Sequence, residues 1–166
     1  MASLQLRTVL TALTFSALAS TTMAAGTVSN TSISSSVAAT LAQKALGACS
    51  EAGYVVSVSV VDSSGVLLSF IRADGAGPHT VKASQAKAYT SASSRNPTSG
   101  IAKATQANPD AAGMTDIPDF LVLAGGVPIK VGNATVGGIG VAGAPGGHLD
   151  EACATKALEA VQQQMM

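Results

Sequence analysis

The chain has 166 residues, 47% hydrophobic and only 11% charged, with a formal net charge of zero. That length and balance describe one domain with a buried core and exclude a charged, disordered tail. No basic cluster and no tryptophan are present, which excludes clustered phosphate contacts and tryptophan base stacking, so nucleic acid is not an expected partner.

The first 24 residues have the pattern of a secretory leader. Arg7 supplies the positive end, Val9 to Ala19 the apolar run, and Thr22 and Ala24 the small residues before cleavage. The run is shorter than the roughly 20 apolar residues of a membrane-spanning helix. Residues 1–24 are therefore expected to be a signal peptide, 25–34 a flexible lead-in and 35–166 the folded domain. The expected location is periplasmic or secreted, where disulfides persist.

A helix is expected from Ser35 or Ser36 to about Ala52, because Val37, Leu41, Ala45 and Cys49 recur every four residues. Gly53 suits the position after its end. Tyr54–Asp62 and Val66–Asp74 read as a hairpin turned at "SSG", with Asp62 as the turn-former. A second helix of small residues is expected from Thr80 to about Ala92. A short third one opens at Pro97 and Thr98 and stops before Pro109. Residues 110–119 read as irregular. "FLVLAGG" and "IKVGNATVGGIGVAG" read as two or three strands, and Leu149 to about Gln164 as the last helix. Hairpin-connected strands flanked by helices predict an α+β fold, an antiparallel sheet with helices packed on it.

Gly138, Gly140 and Gly143 spell G-x-G-x-x-G. A dinucleotide-binding turn must follow a first strand and open a helix inside a βαβ unit. Here the glycines lie in the last strand and the chain ends one helix later, so that reading is rejected. In a strand, alternate residues share a face. Ile139 and Val141 fall on one face with Thr135 and Gly137; Val136, Gly138, Gly140 and Ala142 fall on the other. So bare a strip admits a tightly packed helix, a flat ligand or a partner subunit.

Three blocks, "VSVVDSSGVLLSFIRADGA", "QAKAYTSASSRNPT" and "AGGVPIKVGNATVGGIGVAG", resemble the GlcG/HbpS-type haem-binding family, related to the C-terminal domain of PduO-type proteins. The resemblance covers roughly Ser34 to Val161. It implies a profilin-like fold with a five-stranded antiparallel sheet and helices on both sides. It also implies homo-oligomers and a haem cofactor, with iron as the alternative. It leaves open whether haem is bound or degraded, and so whether the protein is an enzyme.

Haem requires an axial ligand, an apolar slot and cations for its propionates. The two histidines, His79 and His148, are the candidate metal ligands, because neutral imidazole donates through either nitrogen. Tyr54, Tyr89 and Met114 are weaker ones. Lys87, Arg95 and Arg72 match cationic positions of the family blocks and are the candidate propionate partners; Gly138 and Gly140 are the candidate flat wall. The same three cations equally suit a small carboxylate ligand. Asp150 and Glu151 read as partners of a helix N-terminal dipole. No hydrolase motif and no zinc spacing is present.

The resemblance also implies terminal helices lying side by side. Cys49 and Cys153 each fall on an inward stripe. A bridge between them and two buried free thiols both remain open.

Overall fold

The computed structural model describes residues 26–162. The expected leader, and the expected end of the last helix at Gln164, lie outside the described residues.

Helix α1 spans Ser35–Glu51, and the Ser34 hydroxyl caps it by accepting from the Val37 amide. Gly53 follows its end at φ 80°, the left-handed conformation that glycine adopts without a Cβ penalty. The hairpin is β1 (Ser57–Asp62) and β2 (Leu67–Arg72). Asp62 does form its turn: Oδ1 accepts from the amides of Ser64 at 2.8 Å and Val66 at 2.9 Å. Helices α2 (His79–Ser94) and α3 (Thr98–Ala107) follow, and then a 3-10 segment, Pro109–Asp116. Strands β3 (Gly126–Val131) and β4 (Ala134–Ala142) form the second hairpin, and α4 is Gly147–Val161.

The strands pair antiparallel in the order β2-β1-β4-β3. The expectation of five strands is corrected: the described sheet has four. Phe120 to Ala124, the apolar start of "FLVLAGG", lies outside the ladder, and pairing begins at Gly126.

Helices α1 and α4 lie together against one face of the sheet. Leu41, Ala45 and Cys49 of α1 meet Ala154, Ala157 and Val161 of α4 over Val58, Val60, Ile139 and Val141. Ile33, 8% exposed, joins this core, and its amide donates to the Val136 carbonyl. The inner end of the lead-in is thus docked on the sheet.

Helix α2 covers the opposite face. Its buried side is small and polar: Ser57 and Thr80 hydroxyls lie 2.7 Å apart, and those of Ser59 and Ser84 2.8 Å. The bare strip of β4 is where this helix sits. A Cβ at Gly140 would collide with the Ser84 carbonyl oxygen and the Ala88 amide, and one at Gly138 with the Ala88 carbonyl oxygen. Val136 does not share that face as expected. The register between β3 and β4 shifts at Ile129/Lys130, so Ile129 faces Gly137 and Lys130 faces Thr135. Val136 is the extra residue of this bulge, and it joins the α1–α4 core.

Candidate functional site

The start of α4 is anchored from beneath by a buried ion pair. Lys87, 1% exposed, is among the largest fully buried side chains. Its ammonium donates to Asp150 Oδ2 at 2.8 Å and to the Val141 carbonyl at 2.9 Å. The other oxygen of Asp150 accepts from the Ala144 amide at 2.9 Å. A buried charge is tolerable when paired and hydrogen-bonded in this way. The next residue, Glu151, faces the other way, and its carboxylate accepts from the Ser99 hydroxyl at 2.7 Å and the Gly125 amide at 3.4 Å. These adjacent acids are thus more than dipole partners: one joins α4 to α2, the other joins it to α3 and the start of β3.

Above this anchor, α3 and α4 enclose an open groove of about 790 Å³. His148 stands at its rim on the first turn of α4, exposed, with its ring turned back over Gly146. Ala102 and Ala152 line the walls together with Leu123, whose side chain is unusually open for its type at 51% exposure. Lys103 supplies an ammonium group; that of Lys156 is paired with Glu51 of α1 at 2.7 Å, and Glu159 also lines the groove. The set therefore joins one imidazole, an apolar wall, the Lys103 cation and the carboxylates of Glu151 and Glu159.

The other expected site residues are dispersed. His79 is exposed at the first turn of α2, against Gly77, and is not part of the α3–α4 groove. Lys87 shares the buried face of α2 with Thr80, Ser84 and Ala88. Its expected role as a propionate partner is corrected, because its ammonium is already committed within the core. Arg72 donates through Nε to the Ala76 carbonyl at 2.9 Å, tying the loop that precedes α2. Arg95 lies beyond the other end of α2, in the left-handed region at φ 60°. It borders a separate polar hollow of about 440 Å³ with Ser63 and Thr135. A helix of this length separates its ends by about 22 Å at 1.5 Å per residue, so Arg72, Lys87 and Arg95 do not form one carboxylate site. Gly138 and Gly140, expected as a flat wall for a ligand, are instead covered by α2; that role is corrected too. Tyr89 packs edge-on against Phe120, with ring centroids 6.0 Å apart.

Reading the sequence alone missed Leu123, Lys103 and Glu151 as groove residues. The signals for Leu123 and Glu151 were an apolar residue just ahead of the Gly125-Gly126 turn and the acidic pair at the start of the last helix; Lys103 had none. Among the described residues, no group of three or more His, Cys, Asp or Glu side chains gathers as a metal site, and no helix is long and apolar enough to cross a membrane.

The terminal helices carry the remaining candidates. Cys49 and Cys153 are joined by a disulfide with Cα atoms 5.3 Å apart, so of the two open readings the bridge is the one formed.

No match is found among the curated proteins. Solved structures do match. A double mutant of HbpS from Streptomyces reticuli is 38% identical, with 88% of this chain and 98% of that chain covered and a TM-score of 0.79. A further HbpS structure is 40% identical over 82% of this chain and 94% of that one, with a TM-score of 0.77. A PduO C-terminal domain solved as a haem complex shares the fold at a TM-score of 0.70 and 20% identity, covering 78% of this chain and 94% of that one. The HbpS-like family model, described as haem degrading protein HbpS-like, matches residues 33–159, and the chain belongs to that family.

Proposed function

We propose that the protein binds haem in the groove between α3 and α4. The observation that carries this reading is the donor set gathered there: the His148 imidazole, the open Leu123 side chain and the Lys103 ammonium group. Imidazole is a common haem-iron ligand, an apolar wall suits the macrocycle, and cations suit its propionates. A groove of about 790 Å³ lies within the range of small-molecule and cofactor sites. His148 would hold the iron, Leu123 would exclude water from one side, and Lys103 would pair with a carboxylate. When bound, haem would supply the redox chemistry; the chain's own residues would bind and orient it.

Membership of a family described as haem degrading supports a second reading, in which bound haem is consumed. The leader pattern of residues 1–24 and the Cys49–Cys153 bridge support a periplasmic or secreted location, since such bridges persist in oxidising compartments.

Titration of the protein with haem, followed at the Soret band, tests the binding reading. A shifted, saturable band is expected. His148→Ala should weaken binding by at least about tenfold and alter the band, by analogy with the cost of disturbing a metal's ligand shell. His79→Ala should leave both unchanged. No saturable band, or a His148→Ala variant identical to the parent, overturns the site. Adding a reductant and oxygen to the loaded protein separates the two readings: loss of the band with release of iron supports degradation, and a persistent band supports binding alone.

A further inference from the structure

The polar hollow beyond the C-terminal end of α2 is built from four separate segments. Ser29, Asn30 and Thr31 come from the lead-in, Ser63 from the β1–β2 turn, Arg95 from the residue after α2 and Thr135 from the start of β4. Arg95 is the only charged residue of this lining.

Two departures from regular backbone bring the set together. Arg95 ends α2 in the left-handed region, at φ 60° and ψ 21°. Glycine is the usual residue there, because a Cβ is disfavoured in that conformation. Among the described residues, Asp119 is the only other non-glycine with positive φ. Backbone held in a sparsely populated region is a common mark of a ligand site. The second departure is the bulge of β4. Val136 lies in the α1–α4 core, and a Cβ at Gly137 would meet Ile33 and Ile129 of that same core. Two successive residues thus face one side, and alternation restarts with Thr135 on the α2 side, beside Ala92 and Arg95. Plain alternation would have put Thr135 with Ile139 and Val141. Bulges often re-aim a side chain in this way next to functional sites.

The donors so gathered are free to bind. Arg72 is held by the Ala76 carbonyl, whereas no described residue accepts from the Arg95 guanidinium. The Ser32 hydroxyl is used up in docking the lead-in, between the Val136 carbonyl and the Ser63 amide. The hydroxyls of Thr31, Ser63 and Thr135 bond to no other described residue. The negative end of the α2 dipole opposes an anion. Its effect is reduced here, because the Thr90 carbonyl accepts from the Ser94 hydroxyl at 2.6 Å and the Ser94 carbonyl from the Asn96 amide at 2.8 Å.

We propose that this hollow binds a small tetrahedral oxyanion of the phosphate type, at a site separate from the α3–α4 groove. The planar guanidinium of Arg95 presents a fork that matches two oxygens of such an anion. The hydroxyls of Thr31, Ser63 and Thr135 reach the remaining oxygens, which a carboxylate lacks. The hollow, at about 440 Å³ against about 790 Å³ for the groove, suits a small anion.

Titration of the protein with inorganic phosphate, at constant pH and at an ionic strength held with chloride, tests this by amide NMR. Saturable shifts are expected at Ser63, Arg95 and Thr135, with none at His148. Arg95→Gln should weaken binding by at least about tenfold, since it removes a charge-assisted bidentate contact. Arg95→Gly should do the same while keeping the fold, because glycine adopts the left-handed backbone freely. Thr135→Val should weaken binding by about fivefold, the effect of one neutral hydrogen bond. Acetate should bind more weakly than phosphate. The absence of a saturable shift, an Arg95→Gly variant that binds as the parent does, or acetate bound more tightly than phosphate would each overturn the proposal. Haem is absent from every arm, so the outcome is independent of the haem reading.

Discussion

Lys87 Nζ and Asp150 Oδ2 lie 2.8 Å apart, although 63 positions separate them in the chain. Their side chains are 2% and 4% exposed. Lys87→Met is expected to leave the Asp150 carboxylate buried without its counter-ion, a loss of about 3–5 kcal/mol. The double variant Lys87→Met/Asp150→Leu should be less destabilised than the two single variants summed, since apolar replacement of a whole buried pair is often near neutral. Urea unfolding of the four proteins gives the coupling; strict additivity would show that the pair does not act as a unit.

That pair also marks what the sequence could not convey. The stripe of Leu41, Ala45 and Cys49 made α1 legible, because helical periodicity is local. The bare face of Gly138 and Gly140 was legible for the same reason, though what covers it was not. Lys87, among small residues on a helix, has no local sign of burial; its counter-ion is fixed only by the fold. Simple alternation puts Val136 on the wrong face, because a bulge is a property of two strands. Phe120 to Ala124 is apolar enough for a strand, yet nothing in its composition shows that it lacks a ladder partner. His148 was legible as a ligand candidate by residue type, whereas its groove, made by α3 and α4, was not.

Two glycines should respond in opposite directions to the same substitution. Gly140 lies under α2, where a Cβ would strike backbone atoms of Ser84 and Ala88. Gly140→Ala should separate helix from sheet and destabilise by at least the roughly 1–3 kcal/mol of an overpacked core. Gly47 sits within α1, where an added Cβ would meet nothing within 4 Å. Gly47→Ala should stabilise by about 0.5–1 kcal/mol through helix propensity and a less flexible unfolded chain. Thermal melts of both variants check the pair, and a stable Gly140→Ala protein would argue against close packing of α2.

The second ion pair, Lys156 with Glu51 at 2.7 Å, is exposed, and the hydrogen bond from Lys156 holds the Glu51 carboxyl below its ordinary range. A carboxylate whose pKa is depressed by folding contributes stability above its unfolded pKa and loses it as pH falls through the folded value. The contribution here should be small, since solvent and salt screen an exposed pair. NMR titration of Glu51 should give an upward shift in the Lys156→Met variant and in high salt. An unchanged value in that variant would remove Lys156 as the cause.

The Cys49–Cys153 bridge joins α1 to α4 across a sequence separation of 104. Both cysteines are buried, at 0% and 5% exposure, between helices whose other contacts are mostly alanines. A bridge closing so long a loop removes much of the unfolded chain's freedom, and the chain-entropy account gives an upper figure of about 4.7 kcal/mol. Small side chains between α1 and α4 offer little apolar area to replace it, since burial contributes only about 25 cal/mol per Å². The Cys49→Ala/Cys153→Ala variant should therefore lose several kcal/mol, with α1 and α4 separating before the sheet. Thiol titration of the unfolded, unreduced protein should find no free thiol, and hydrogen exchange of the variant should show the earliest opening in these two helices. Two free thiols per chain would reject the bridge, and a variant as stable as the parent would show that packing alone holds the helices together.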